Sequence, residues 1–429
     1  MLNRHFLTTI LSKRTFNRFK DEKIKRLIEN FFSLSVLQVV NYILPLVTLP
    51  YLVRVLGAEK FGLVMFANAF IQYFIMLTDY GFILSATREI SVHREDIKKV
   101  SEIFTSVMII KMVLFLVSLI ILFGIVFSFD KFRNDWQLYF LTSGMILGNI
   151  LFPIWFFQGM ERMKYITILN ITAKTIFTVL IFVFIRNQGD YIYVPVFNSL
   201  GFITAGILSF WIVIKYFKIR LYLPKISRIY SYFKDSTQYF LSRVSVSVYT
   251  SSNTFVVGLF LGNTAAGYYS AAEKLFLALR MAYTPLNTTL YPYMCNTRNL
   301  RLYKKIFLLA FIVNLALCSS IFLSSGFIIG LLYGEGFQVS VKLLQMFSIL
   351  GLIIVPSILL GYPLLAALGH PKYANMSVIV ASVFHLIMLM LIIPIIKIYF
   401  VVIIAMITET VVLLIRVYGI RKHKLWRTR

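Results

Sequence analysis

The sequence predicts an all-α integral membrane protein with about 12 transmembrane helices in two six-helix bundles around a central cavity. Three observations carry that prediction. Hydrophobic residues make up 59% of the 429-residue chain, against about 45–50% in an ordinary soluble domain, and the mean hydropathy is +0.81. The apolar residues gather into about twelve runs between Phe31 and Ile420, each near the roughly 20 residues that cross a bilayer as a helix. The Lys and Arg between those runs alternate between rich and poor segments, as they do in a multi-pass protein.

Residues 1–30 are basic and polar. Ile24, Leu27, Ile28 and Phe31 follow the i, i+3, i+4, i+7 spacing of a helix face, so this segment is expected as an amphipathic helix on the cytoplasmic surface. It is not a cleaved signal peptide, because the apolar run that follows is too long. Spans are expected near 31–53, 62–85, 103–128, 137–158, 166–186 and 193–214, which form the N-terminal bundle. Residues 215–236 form a cytoplasmic linker. After Pro224, Ile226, Ile229, Tyr230 and Phe233 again take helical spacing, with Lys225, Arg228 and Lys234 among them. The C-terminal bundle, 237–420, holds spans near 237–262, 266–294, 306–332, 341–368, 376–396 and 398–420, and 421–429 is a basic tail. With both termini inside, the inner segments carry 30 Lys and Arg, the outer segments 7 and the spans 6. That bias places both termini in the cytoplasm.

The halves share a sequence pattern. Leu56-Gly57 followed by Gly62 recurs as Leu261-Gly262 followed by Gly267, at an offset of 205 residues. Both copies lie between the first and second spans of their half. Six spans per half give both halves the same orientation and a pseudo-twofold axis along the membrane normal.

Several spans carry a hydrophilic seam. Glu273, Arg280, Thr284, Asn287 and Tyr291 fall on one face of the eighth, and Arg243, Ser247, Thr250 and Thr254 on one face of the seventh. Thr167, Asn170, Lys174 and Thr178 mark the fifth; Asn68, Gln72 and Asp79 the second. Neutral seam residues serve helix packing. Lys111, Lys174, Arg243, Lys274 and Arg280 need another reason, since a cation costs roughly 2.5–3.5 kcal/mol at the centre of a span. A positively charged interior implies an anionic cargo. Asp79, Glu273 and Glu409 are the acids inside spans and the candidate ion-coupling residues. Glu409 has no cation within one turn and could carry a proton. Arg416, near the inner end of its span, is expected to snorkel.

The sequence also excludes functions. Cys295 and Cys318 are the only cysteines, without a ligand pattern, so neither metal nor disulfide is expected. No phosphate-cradling GxxxxGK[ST] loop is present; no cofactor is expected, and transport would draw on a proton or sodium gradient, or on the cargo's own gradient. The net charge of +26 is read through membrane topology and the anionic inner leaflet, not nucleic acid.

The stretch Ser33-Leu34-Ser35 through Gln38 and Asn41, with Leu44-Pro45-Leu46 and Leu49-Pro50-Tyr51-Leu52-Val53-Arg54-Val55-Leu56-Gly57, resembles the opening of Wzx-type O-antigen and polysaccharide flippases. So does Asp79-Tyr80-Gly81-Phe82 followed by Ala86-Thr87-Arg88-Glu89-Ile90, and in the second half Phe240-Leu241-Ser242-Arg243, Tyr249-Thr250 and Gly267-Tyr268-Tyr269-Ser270-Ala271-Ala272-Glu273-Lys274. The resemblance places the chain in the superfamily of multidrug, oligosaccharidyl-lipid and polysaccharide exporters. It implies an undecaprenyl-pyrophosphate-linked oligosaccharide as cargo, moved from the inner to the outer leaflet of a bacterial plasma membrane. It also implies a polysaccharide polymerase and a chain-length regulator as partners, besides membrane lipid. Arg54, Arg88, Arg243 and Lys274 match the family's basic positions; Lys111, Lys174 and Arg280 join them as substrate-binding candidates on charge alone. A pyrophosphate suits a bidentate arginine. Two alternatives stand beside this reading. A multidrug exporter of the same fold would take cationic cargo, which a basic interior disfavours. A membrane-bound polysaccharide-processing enzyme would need catalytic residues on large outer loops, where the longest here are about ten residues.

Overall fold

The computed structural model describes residues 22–426, with side chains left aside at 22–28, 30, 31, 34, 35, 42, 242, 243 and 245–251. Most of the N-terminal segment expected on the membrane surface, residues 1–21, lies outside that range. Among the described residues every regular element is helical. Helix α1 runs over Glu22–Asp79, 58 residues. At 1.5 Å per residue that is about 87 Å, nearly three times the roughly 30 Å hydrocarbon core. It therefore contains both the first and the second expected span. The break between them is Gly57, with φ 68° and ψ 175°. Only glycine occupies that region of backbone space readily.

The remaining helices follow the expected spans, with informative interruptions. α2 (Phe82–Val92) starts after a turn in which Tyr80 and Gly81 both have positive φ. That turn ends the second span early. α3 (Ile97–Ser128) is capped by Asp96, whose side chain accepts from the Lys99 N–H. α4 (Asp130–Arg133) is a single turn. α5 (Trp136–Leu151) and α6 (Ile154–Gly159) divide the fourth span at Pro153, as expected where proline removes a helix donor. α7 (Met163–Phe184) and α8 (Tyr193–Lys215) complete the first half. α9 (Ile226–Leu261) joins the linker helix to the seventh span without a break. α10 (Asn263–Met281) and α11 (Thr284–Thr297) divide the eighth span just before Pro285. α12 (Leu300–Tyr333) and α13 (Gln338–Leu359) follow, and α13 widens into a π-helical turn over Leu360–Ala366 around Gly361 and Pro363. α14 (Pro371–Ile392) and α15 (Ile398–Lys422) close the chain.

Nine segments among the described residues are long and apolar enough to cross a membrane. The first two spans are fused in α1, the eighth carries Glu273, Lys274 and Arg280 within α10, and of the seventh only Ser252–Leu261 is a continuous apolar stretch with described side chains. Side-chain placement also fits a lipid environment. Leu323 is 84% exposed and Ile120 73%, whereas Ser106, Ser118 and Asn314 are fully enclosed.

The chain divides into two compact units. The first takes the chain up to Pro45, Phe74–Leu180 and Pro195–Phe240; the second takes Leu46–Tyr73, Ile181–Val194 and Leu241–Arg429. In the first unit, Phe104 packs against Trp155 and Phe156, and Phe156 against Phe217. In the second, Phe66 stacks on Phe255 at 5.3 Å and Phe276 on Phe347 at 5.1 Å. The Tyr303 hydroxyl donates to the Leu359 carbonyl and the Tyr333 hydroxyl to that of Ala271, so buried tyrosines satisfy helix carbonyls.

The repeated glycine pattern packs against itself inside the second unit. Gly262 has φ 91° and ψ 173°, nearly the backbone of Gly57. A Cβ on Gly62 would stand 2.5 Å from the Gly267 nitrogen and 2.8 Å from the Asn263 carbonyl carbon. A Cβ on Gly267 would stand 2.9 Å from the Ala58 carbonyl carbon. Ala58 and Asn263 are themselves related by the 205-residue offset. The contacts are thus reciprocal, as a local pseudo-twofold requires.

Candidate functional site

The second unit contains a cavity of about 50 Å³ that gathers residues from five helices. α9 contributes Asn253; α10 contributes Tyr269, Glu273 and Arg280; α14 contributes His385; α15 contributes Thr408 and Glu409; apolar walls come from α10 and α13. Glu273 and Arg280 share a face because seven residues make two helical turns. Thr408 and Glu409 enter from a helix otherwise rich in Ile and Val. The Thr254 hydroxyl donates to Glu273 Oε2 at 2.9 Å. His385 places Nδ1 2.9 Å from Thr408 Oγ1 and Nε2 3.0 Å from Asn253 Oδ1. One ring thus ties α14 to both α9 and α15.

Three predicted residues, Glu273, Arg280 and Glu409, therefore line one space. Neither acid forms a direct ion pair with Arg280 among the described residues. The positive charges acting on Glu409, which is 7% exposed, are Arg280 and Arg416. Lys274 follows Glu273 in sequence but is not part of the cavity wall. The arrangement can exchange a proton or hold a small ion next to a guanidinium.

The other candidates are placed separately. In the first unit, Lys111 is 1% exposed and its Nζ lies 3.6 Å from Asp79 Oδ1. A residue predicted to bind anion and one predicted to couple ions thus neutralise each other. Lys174 is half-buried on α7 and forms no ion pair among the described residues. Arg88 is exposed on α2 and lines a second cavity. In the second unit, Arg54 donates from Nε to the Leu332 carbonyl at 2.9 Å and from a terminal nitrogen to that of Leu331. These are last-turn carbonyls of α12 that lack helical partners, so Arg54 caps a helix. The Arg243 side chain, like those of Ser247 and Thr250, lies outside the described residues.

Sequence reasoning misplaced Arg416. Arg416 does not snorkel. It is 7% exposed and donates to the Ser357 carbonyl at 2.5 Å, to Ser357 Oγ at 3.3 Å and to Ser377 Oγ at 3.0 Å. A Cβ on Gly361 would stand 2.8 Å from its Nη1. The signal available was the Pro356–Gly361–Pro363 cluster. Helix unwinding there leaves carbonyls that a buried guanidinium can satisfy.

The family model described as "Polysaccharide biosynthesis protein" matches residues 27–298. The chain belongs to the polysaccharide biosynthesis protein family. Within reach of it is the Escherichia coli (strain K12) protein named "Putative O-antigen transporter", 28% identical over 369 residues, which are 84% of this chain and 88% of that one. A Shigella dysenteriae protein of the same name is 25% identical over 83% of this chain and 91% of its own. Among solved structures, "Lipid II flippase MurJ, inward closed conformation" superposes with a TM-score of 0.72 at 16% identity, covering 93% of this chain and 87% of the other. An inward-facing multidrug resistance transporter of the MATE family gives 0.69 at 15% identity, covering 92% and 98%. These likenesses establish that this family member has the fold of that transporter superfamily.

Proposed function

We propose that the protein is a flippase. It carries an undecaprenyl-pyrophosphate-linked oligosaccharide, the repeat unit of an O-antigen or related surface polysaccharide, from the cytoplasmic to the outer leaflet of the bacterial plasma membrane by alternating access. The observation that carries this reading is Arg280, a cation inside a helical membrane unit, in a family whose relatives are named O-antigen transporters. A bare guanidinium at that depth is costly unless an anion or a wet polar cavity receives it. A pyrophosphate fits its bidentate donors. Lys174, Arg243 and Arg88 are also proposed as substrate-binding residues, on their charge.

The cavity of Glu273, His385 and Glu409 is assigned to coupling. Proton uptake by Glu409 or Glu273 alters the charge beside Arg280 and so biases the conformational equilibrium. Both termini and the 215–236 linker are placed in the cytoplasm. The bundles 31–214 and 237–420 are taken as the functional halves.

The test is a deletion strain. Lipid-linked repeat units should accumulate facing the cytoplasm while surface polysaccharide disappears, and the wild-type gene should reverse both. Normal surface polysaccharide in a strain with no second flippase would overturn the proposal.

A further inference from the structure

The first unit contains a cavity of about 160 Å³ that no feature described above uses in full. Its walls are α2 and the opening turns of α9, with Val107 of α3 behind. The frame is rigid. The Tyr80 ring is sandwiched between Phe233 at 4.5 Å and Phe240 at 4.6 Å, both nearly parallel to it. Gly81, with φ +77°, lets the α9 backbone approach so closely that a Cβ would stand 2.8 Å from the Phe240 nitrogen. Ser85 Oγ and Ser236 Oγ are 2.8 Å apart, and the Tyr232 hydroxyl donates to Glu102 Oε1 at 3.1 Å.

The polar lining is mixed. Arg88 supplies a guanidinium that forms no ion pair among the described residues. Glu89 and Asp235 supply carboxylates, Gln238 an amide, and Tyr239 a ring with a hydroxyl. A simple anion would meet Arg88 but be repelled by the two carboxylates. A neutral sugar would leave Arg88 without a counter-charge. A ligand with a phosphate at one end and hydroxyl donors at the other satisfies every group. The hydroxyls donate to the carboxylates and the amide, and the phosphate takes the guanidinium. The cavity is of monosaccharide scale.

We infer that this cavity is a loading subsite for a sugar phosphate: the phosphate-linked first sugar of the lipid-anchored cargo. The inference rests on the flippase reading and deepens it. Arg88 follows the expected inner end of the second span, where the inside orientation read from the Lys and Arg bias would put it near lipid headgroups. There the polyprenyl tail stays in lipid while the first sugar reaches the cavity.

The experiment uses the full chain in phosphatidylcholine nanodiscs and saturation-transfer NMR with glucose 1-phosphate. Methyl glucoside and inorganic phosphate serve as the controls. Expected is transfer to the glucose 1-phosphate ring protons, weak transfer to methyl glucoside, and poor displacement by inorganic phosphate. Asp235→Asn and Arg88→Gln should each weaken binding about tenfold, the effect of one hydrogen bond to a charged group. The exposed Gln238→Ala should weaken it less. In proteoliposomes, Asp235→Asn should raise the half-saturating concentration of lipid-linked sugar and leave the maximal rate unchanged. Full displacement by inorganic phosphate, or undiminished binding in Asp235→Asn, overturns the subsite. If the wild type moves lipid-linked sugar but does not bind the probe, the subsite falls and the flippase reading stands. If it binds the probe with these specificities but moves no lipid-linked sugar, the flippase reading falls and the sugar-phosphate site stands.

Discussion

Adding one methyl group at Gly62 or Gly267 should loosen the second unit, although the same change inside an isolated helix would stabilise it. Gly→Ala gains up to about 1 kcal/mol of helix propensity. Against that stands the backbone of the opposite repeat. The new Cβ of Gly62→Ala would lie 2.8 Å from the Asn263 carbonyl carbon, and that of Gly267→Ala 2.9 Å from the Ala58 carbonyl carbon. Contacting carbons prefer roughly 3.5–4.0 Å, and the carbonyl oxygens of Asn263 and Ala58 stand closer still to the new methyls, so the helices must separate by more than about 1 Å. The obstructing atoms are backbone and cannot rotate away. Overpacking of this kind costs about 1–3 kcal/mol, which exceeds or matches the propensity gain. The prediction is a lower apparent melting temperature for each variant in detergent, measured by fluorescence-detected unfolding. Because both methyls force open one interface, the double variant should lose less than the sum of the singles. Gly124→Ala is the control: a Cβ there meets nothing within 4 Å. If Gly62→Ala and Gly267→Ala melt no lower than Gly124→Ala, the reciprocal close approach is wrong.

The Lys111–Asp79 pair makes a second test: Asp79→Asn should cost about 3–5 kcal/mol because it strands the buried Lys111, Lys111→Met should cost less because the Asp79 side chain is 19% exposed, and the double change should be milder than Asp79→Asn alone. A loss in the double equal to the sum of the two single losses would show that the residues do not depend on each other. In proteoliposomes, Arg280→Ala should abolish transport while Arg280→Lys retains a fraction, since charge survives but the fork does not; normal transport by the alanine variant would remove Arg280 from the site. Glu409→Gln should slow transport and flatten its dependence on external pH, and an unchanged profile would leave Glu409 a structural residue. His370, stacked on His423 at 3.9 Å, is held below the ordinary histidine value by burial and by that neighbour. The folded state then binds fewer protons than the unfolded one, so stability should fall as pH drops through about 6.5. His370→Gln should reduce that fall, and an identical pH slope in the variant would refute it.

What the sequence disclosed, and what it withheld, follows from the range of the interactions. Apolar runs set the helices because burying or exposing a 20-residue segment is a local property of its composition. The glycines at 57, 62, 262 and 267 were legible as a repeat because positive φ and backbone contact each restrict a position to that residue. The helix break at Tyr80–Gly81 and the continuity of α9 were not legible. The first depends on Gly81 meeting the backbone at Phe240, far along the chain. The second depends on the absence of a stop signal between Asp235 and Thr237 in a segment whose polarity alone had suggested a separate element.

The same reasoning explains the uneven reading of the charges. Spacing places Glu273 and Arg280 on one face, and the structure gives both to one cavity. It cannot say which face meets which helix. Lys111 therefore looked like a free cation until Asp79 was found 3.6 Å away, and Arg416 looked peripheral until its three bonds to Ser357 and Ser377 appeared. With Lys111 paired, Arg54 engaged on a helix end and Arg416 holding an unwound turn, the excess positive charge of the spans narrows to fewer residues. Arg280 and Lys174 remain without direct ion pairs among the described residues. A cation kept unpaired at span depth is the costly arrangement, and a pairing that evolution could have supplied with one nearby acid is absent even though Glu273 and Glu409 border the same cavity as Arg280. That separation, more than the total charge, is why an anionic cargo is assigned to Arg280 and why its replacement is the decisive test of the site.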